Sequence, residues 1–435
     1  YSTAHIRPLR KSNTNEQLMN ILLIDQPLWN RGDESAHKGL VRSILKAIPN
    51  ARIKVIELGV SPAAIDEFDM KLPQVEFVNI IPLNEVWFNR VARHSYRWNA
   101  GWMLTLCPTG NKIKRLYKWA DIVMMAPGGI NLGGFQDWRH LSLLLLARSM
   151  DKPLAYYGRS IGPFPTATRA QRRFRHLAKK ALEYCSFVCL RDEKSVNVAR
   201  ELGINCTPTV DSAFLDTTEA SIPDDVRRMT GGGEYIVFVP NELVWHYAYR
   251  NTVPPQAINR FYASLVRIMQ ELYPMHKIVM LPQTNNQTRN DYQYFRELRE
   301  TFSRKETVVI IPDTYSSDVQ QAVIRQAALM VGARYHSIVF AINQGIPFIS
   351  LSYEHKMAGL LESLGETDRM IDITNIFTDK AATDQACEHF RDLACNLKSA
   401  DAARAKAKGK AQKCFDKFVK LLKQPRQQQY MQEKQ

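Results

Sequence analysis

A chain of 435 residues, 45% of them hydrophobic, exceeds what one apolar core usually serves, so two domains are the first expectation. Its formal net charge of +15 is unevenly spread: from Lys398 to Gln435 eleven Lys/Arg stand against three acids (Asp401, Asp416, Glu433), a basic tail rather than a nucleic-acid-binding groove. The seven cysteines (Cys107, Cys185, Cys189, Cys206, Cys387, Cys395, Cys414) are scattered without a C-x-x-C pair, which argues against a disulfide framework or a zinc module.

The N-terminal stretch Tyr1 to Gln17 carries Arg and Lys with no apolar run behind them, so no signal peptide is expected and the protein is expected in the cytosol. The longest apolar patch, Leu141 to Ala147, is flanked by Arg139 and Arg148 and is far shorter than the roughly 20 residues of a membrane span.

Along the chain, short β-branched or apolar runs alternate with amphipathic stretches of helical length, the pattern of parallel sheets covered on both faces. Strands are expected at Asn20–Asp25, Arg52–Leu58, Asp121–Met125, Pro153–Gly158 and Ser186–Arg191. After the first, Asn30-Arg31-Gly32-Asp33-Glu34 opens a helix through Leu40 and Leu45. Asp33 or Glu34 is expected to cap or flank its first turn, leaving free N–H groups toward a ligand.

Trp87, Phe88, Arg90, Arg93, Tyr96, Arg97, Trp98 and Trp102 interleave aromatics with cations. Interfacial segments do this, and core packing or a sugar-stacking wall explains the tryptophans equally well. Ala126 to Gly134 holds four glycines, Gly128 and Gly129 among them, and implies close backbone approach to a ligand or a neighbouring loop without being a dinucleotide fingerprint. Gly158-Arg159-Ser160-Ile161-Gly162-Pro163-Phe164 follows at a strand's carboxyl end, where open α/β sheets bind ligands. Arg159 there serves an anion or an internal ion pair. In Arg191-Asp192-Glu193-Lys194-Ser195, Arg191 is either held by its neighbouring acids or free to hold a phosphate.

The polar stretch Ser221–Glu234, ending in three glycines, reads as a linker. The alternation then restarts, with strands at Tyr235–Pro240, Lys277–Leu281, Thr307–Ile311, Leu329–Gly332 and Pro347–Leu351. The expected fold class is α/β, two Rossmann-like doubly wound domains (18–220 and 234–380) facing a cleft, with basic helices packed on the core at 384–424 and a frayed tail at 425–435. The tail's charge reads first as a solvated helix face and second as attraction to the inner face of an anionic membrane.

The densest chemical signal is Val331-Gly332-Ala333-Arg334-Tyr335-His336-Ser337, an apolar helix, a turn and strand, then Tyr353-Glu354-His355-Lys356. It sets Arg334, His336 and Lys356 along one edge, each able to face the cleft. No metal-ligand cluster is visible.

These segments, with Asn30-Arg31-Gly32-Asp33 and Asp211-Ser212-Ala213-Phe214, occur in an order that resembles the polysaccharide pyruvyl transferases over roughly Asn20 to Ile373. The Tyr-Glu-His-Lys segment is most similar to the colanic-acid branch of exopolysaccharide synthesis. The resemblance implies a two-domain GT-B-like architecture and transfer of the enolpyruvyl group of phosphoenolpyruvate onto two sugar hydroxyls as a cyclic ketal. It also implies no cofactor beyond that co-substrate and a lipid-linked or nucleotide-linked sugar acceptor. Arg191, Arg334 and Lys356 become the expected phosphoenolpyruvate residues, and His336 the expected acid/base. Asp33, Gly128, Gly129, Arg159 and Ser160 are weaker candidates for the acceptor or the cleft. Arg159 stands where glutamine is usual in the family, and Tyr335 where leucine is. The rival expectations are a nucleotide-sugar glycosyltransferase and a non-catalytic anion- or glycan-binding protein.

Overall fold

The computed structural model describes residues 18–28, 30–82, 85–97, 107–246, 248–286 and 289–423. The first unit runs β1 (Met19–Ile24), α1 (Arg31–Ala47), β2 (Ala51–Leu58), α2 (Pro62–Phe68), β3 (Val75–Ile80), α3 (Glu85–Arg97), α4 (Pro108–Trp119), β4 (Ile122–Met125) and β5 (Gly128–Leu132). It continues through α5 (Trp138–Ser149), β6 (Leu154–Ile161), α6 (Arg169–Tyr184), β7 (Phe187–Leu190), α7 (Glu193–Glu201) and β8 (Thr207–Pro208).

After α8 (Asp224–Thr230), the second unit contains β9 (Tyr235–Val239), α9 (Pro255–Leu272), β10 (Lys277–Met280), the small hairpin β11 (Asn285–Asn286) and β12 (Arg289–Asn290), and α10 (Asp291–Arg299). It ends with β13 (Val308–Ile310), α11 (Ser317–Arg325), β14 (Leu329–Gly332), α12 (Tyr335–Gln344), β15 (Phe348–Ser352), α13 (His355–Leu364), β16 (Met370–Asp372), α14 (Lys380–Cys395) and α15 (Asp401–Lys423).

The strands form two parallel sheets, ordered β3-β2-β1-β4-β6-β7-β8 with β5 also on β6, and β13-β10-β9-β14-β15-β16. Their central strands are buried on both faces, as in β6, where every residue from Leu154 to Ile161 is buried, because helices cover each side. In each sheet the chain steps outward in one direction and then restarts on the other side of its first strand. The strand order therefore reverses between β1 and β4, and again between β9 and β14. Outside the carboxyl ends at such a reversal lies the crevice where open α/β sheets take ligands. Asp25 follows β1, and Arg334 follows β14 by one residue.

The two sheets are joined by shared packing. One apolar cluster runs from Ala36, Leu40 and Ile44 on α1 through Ala213 to Leu215 into the second sheet, and α15 returns to the first unit. There Phe418 meets Tyr157 at 5.2 Å and Phe187 at 5.3 Å between ring centroids. A buried ionic network reinforces the seam. Lys38 bonds Glu34 at 2.5 Å and Asp318 of α11 at 2.8 Å, while Arg42 reaches Asp216 at 2.7 Å and Asp318 at 2.9 Å. Each charge has a fixed opposite, which is the condition for burying such groups.

Several expectations change. Asp33 and Glu34 flank the first turn of the helix after β1, as expected, but its cap is Asn30, whose side chain accepts from the Asp33 N–H at 2.9 Å, and Glu34 is engaged by Arg31 and Lys38. The glycine-rich span includes a strand not expected from the sequence, Gly128–Leu132 paired with β6. The expected linker holds α8, closed by Gly231 in the left-handed region. The basic tail forms α14 and α15, with Phe415, Phe418 and Leu422 buried. Among the described residues no helix is long and apolar enough to cross a membrane. On α3, Trp87, Arg90 and Arg93 are exposed and Phe88 is buried; the side chains of Tyr96 and Arg97, and the whole of Trp98, Trp102 and the tail 424–435, lie outside the described residues.

Candidate active site

Between the two sheets lies a cleft of about 960 Å³. Arg191, Arg334, His336 and Lys356 all line it, together with Asp33, Gly129 and Arg159. The sheets account for this convergence: Arg191 directly follows β7, and Arg334 and His336 sit at the start of α12. Lys356 is the second residue of α13. Helix starts leave backbone N–H groups unpaired and carry partial positive charge, so the cleft favours an anion before any side chain is considered.

Both arginines are held by buried carboxylates distant in sequence. Arg191 pairs through Nη1 with Asp211, and its Nε donates to Ser160 Oγ at 3.2 Å. Burial alone would lower the Arg191 pKa, but Asp211 keeps it raised; burial likewise works against Asp211, and Arg191 and His336 together hold that carboxyl below its usual range. Arg334 pairs through Nη2 with Asp291. Asp291 is in turn fixed by the Gln283 and Thr284 N–H groups, at 3.0 Å each. Arg334 Nε is buried without a hydrogen-bond partner among the described residues, a donor left over in the cleft wall.

His336 connects the two halves of the molecule. Its Nε2 lies 3.6 Å from Asp211 Oδ2, with the side chain 14% exposed, and its Nδ1 faces Gly32 at the start of α1. A Cβ on Gly32 would sit 1.8 Å from that nitrogen, so only glycine permits α1 to approach the imidazole. The seam is stitched beside it, where Arg31 N–H donates to Gln283 O at 2.9 Å and Asn30 bridges Thr284. Lys356 differs from the arginines, because it makes no hydrogen bond or ion pair with any described residue. Asp33 is buried at 8% exposure; burial pushes its carboxyl up, against the charges of His336 and Arg191. Among the described residues no three His, Cys, Asp or Glu side chains cluster as metal ligands.

Against known families, residues 30–355 match the model for polysaccharide pyruvyl transferase. The chain belongs to the polysaccharide pyruvyl transferase family. It is 22% identical over 277 residues to the amylovoran biosynthesis protein AmsJ of Erwinia amylovora, covering 60% of this chain and 63% of that protein's length. Among solved structures it is similar to the UDP-GlcNAc 2-epimerase of Methanocaldococcus jannaschii (TM-score 0.52, 13% identity, 88% of this chain and 95% of that one). It is also similar to a UGT transferase of Siraitia grosvenorii in complex with UDP (TM-score 0.57, 9% identity, 93% and 100%). At such identities these two establish the fold alone, a GT-B-like pair of Rossmann-like domains.

Three weaker candidates have internal duties in this member of the family. Arg159 lines the cleft but is fully buried, and its guanidinium serves Ala126 O, Asn131 Oδ1 at 2.7 Å and Asp25 O at 2.8 Å; it organises the strand ends instead of offering a free cation. Ser160 does not line the cleft. It donates to Asp192 Oδ2 at 2.5 Å and belongs to a smaller cavity behind Arg191. Gly128 is also absent from the lining, since a Cβ there would press within 2.8 Å of Pro27 and 2.9 Å of Arg159. Gly129 does face the cleft, with open space at its Cβ position. Reasoning from sequence missed Asp291 and Asp211 as the arginines' partners, and Glu57 in the cleft wall. Asp211 had a signal, its place in the Asp-Ser-Ala-Phe segment; Asp291 and Glu57 had none.

Proposed function

We propose that this enzyme moves the enolpyruvyl unit of phosphoenolpyruvate onto two hydroxyls of a sugar, forming a cyclic ketal during synthesis of an exopolysaccharide. The observation that carries the reading is the convergence of Arg191, Arg334, His336 and Lys356 on one cleft at the carboxyl ends of both sheets. Phosphoenolpyruvate brings a carboxylate and a phosphate, and guanidinium groups with fixed orientation suit both anions. Because Asp211 and Asp291 already balance the two arginines, their role is directional donation, and Lys356 supplies a charge that makes no ion pair among the described residues.

The proton balance assigns His336 its part. Protonation of the methylene carbon makes the methyl group and leaves an oxocarbenium-like carbon that the first hydroxyl attacks. Phosphate then departs as the second hydroxyl closes the ring, and the two hydroxyl protons replace the one given to carbon and the one taken by phosphate. A single group that both gives and takes protons suits this sequence, and His336, its Nε2 3.6 Å from Asp211 Oδ2, takes that part. The acceptor is a lipid-linked or nucleotide-linked sugar; the AmsJ relative's name supports polysaccharide synthesis. Peripheral contact at an anionic membrane face through α3, with Trp87, Arg90 and Arg93 outward, belongs to the same reading.

His336→Ala tests it. Phosphate release from phosphoenolpyruvate with acceptor should fall by about 10²- to 10⁴-fold, while a thermal shift on phosphoenolpyruvate persists. Near-wild-type turnover removes His336 from the mechanism, and a shift with nucleotide sugars but not phosphoenolpyruvate overturns the donor.

A further inference from the structure

A three-carbon phosphate ester occupies only a small part of a 960 Å³ cleft, and the end away from the cations is built differently. There the parallel register pairs Ile24 with Ile56, so Asp25 and Glu57 are the next residues on adjacent strands. Glu57 lines the cleft, is 5% exposed, and its Oε1 has no hydrogen-bond partner among the described residues. Buried polar atoms are nearly always satisfied; one left over in a cavity wall points to something the cavity holds.

Asp25 is its opposite, an acceptor locked in place. Its backbone takes φ 55°, a conformation non-glycine residues seldom adopt. Its Oδ2 accepts from His140 Nδ1 at 2.5 Å, with Arg159 Nη1 at 3.6 Å. Asn131, Ser61 and Arg139 complete this end.

We propose that Asp25 and Glu57 form the sugar-recognising subsite of the cleft, the free carboxyl oxygen of Glu57 hydrogen-bonding a hydroxyl of the acceptor. This rests on the transferase reading above and names its acceptor end. Burial, reinforced by the Asp25 carboxylate and only partly opposed by Arg139, pushes the Glu57 carboxyl up to about 9, so near neutrality it keeps its proton. Burial works against the Asp25 carboxylate, but His140 and Arg159 hold it well below the usual range. A neutral acid that donates and accepts, beside a carboxylate that only accepts, matches neighbouring hydroxyls, each of which also does both. The same carboxylate repels an anion, which keeps phosphoenolpyruvate at the cationic end.

Saturation-transfer NMR on the full chain tests this, with methyl β-D-galactopyranoside and methyl β-D-glucopyranoside as probes and phosphoenolpyruvate thermal shift measured in parallel. The wild type should saturate the ring protons of at least one sugar at pH 7. Glu57→Ala should weaken that sugar at least tenfold without moving the phosphoenolpyruvate shift, and Glu57→Gln, whose amide also donates and accepts, should recover most of the loss. Asp25 from the end of β1 and Arg139 from α5 are the charged groups acting on Glu57, and Asn79 is its register partner on β3. Wild-type sugar contact should therefore fade as pH rises through about 9, and that of Glu57→Gln should not. Equal binding by Glu57→Ala, no saturation of either sugar by the wild type, or a flat wild-type pH profile overturns the subsite. A phosphoenolpyruvate shift beside such a failure leaves the donor reading intact; Glu57-dependent sugar binding without that shift does the reverse.

Discussion

At the cationic end of the cleft, Arg191 and Arg334 are each locked to a buried carboxylate, Asp211 and Asp291. At the other end, Glu57 is also buried, and its Oε1 has no hydrogen-bond partner among the described residues. Charges that meet an opposite stay charged inside a protein and gain direction, whereas a carboxyl buried without an opposite, with another carboxylate beside it, gives up its charge and becomes a neutral donor. On the proposed reading, one cavity pairs anion recognition by arginines with hydroxyl recognition by acids.

Deleting an acid should consequently have opposite effects at the two ends. Asp291→Ala strands Arg334 as an unpaired buried cation and frees the Gln283 and Thr284 N–H groups. A loss of about 3–5 kcal/mol in unfolding free energy is expected, measured by denaturant titration; a neutral result would mean that water replaces the pair. Glu57→Gln removes a carboxyl whose pKa lies near 9 in the fold against 4.5 unfolded. The folded state then binds more protons than the unfolded one between those values, so wild-type stability falls as pH rises across that window. The variant should escape the fall and gain about 3 kcal/mol at pH 7, with the gain vanishing below pH 4. A gain over wild type no larger at pH 8 than at pH 4 would show that Glu57 is ionised in the fold.

The cationic end was the legible part of the sequence because its residues are punctuated by the fold itself. Arg334, His336 and Lys356 stand directly after strands or at helix starts, and periodicity marks both. What escaped was pairing over distance. Nothing in the chain before α10 says that Asp291 will fold back onto a residue 43 positions later, or that Glu57 on β2 will lie beside Asp25. The missed strands follow the same logic: β3 is an edge strand carrying Glu76 and Asn79, and β5 opens with two glycines. Neither has the apolar run that identifies a buried strand. Ser160 entered the site through its strand-end position and Gly128 through the glycine-rich span, and neither signal says toward which side of the sheet a residue turns.

Gly32→Ala tests whether the cationic end depends on both halves of the molecule at once. The added carbon would overlap the His336 ring, 1.8 Å from Nδ1, so the imidazole must move while Arg191, Arg334 and Lys356 stay where they are. Displacement of a reacting group by about 1 Å costs on the order of 10²-fold in rate. The expected outcome is a fall of about that size in phosphate release, with phosphoenolpyruvate binding little changed. Equal losses of both would instead report that α1 has parted from the second domain.

Lys356 supplies the finest distinction, because it is the cation of the cleft without an internal partner among the described residues. Lys356→Met keeps the stem's packing and removes only the ammonium, so folding stability should not change, in contrast to Asp291→Ala. Phosphoenolpyruvate affinity should drop by about tenfold, the low end for a hydrogen bond to a charged group, since Lys356 is partly exposed and screened by salt. The wild-type dissociation constant should also climb with ionic strength more steeply than the variant's. The arginines have their charge cancelled locally whatever the salt concentration, so the difference between the two slopes isolates the charge that draws the donor in from the directional bonds that hold it.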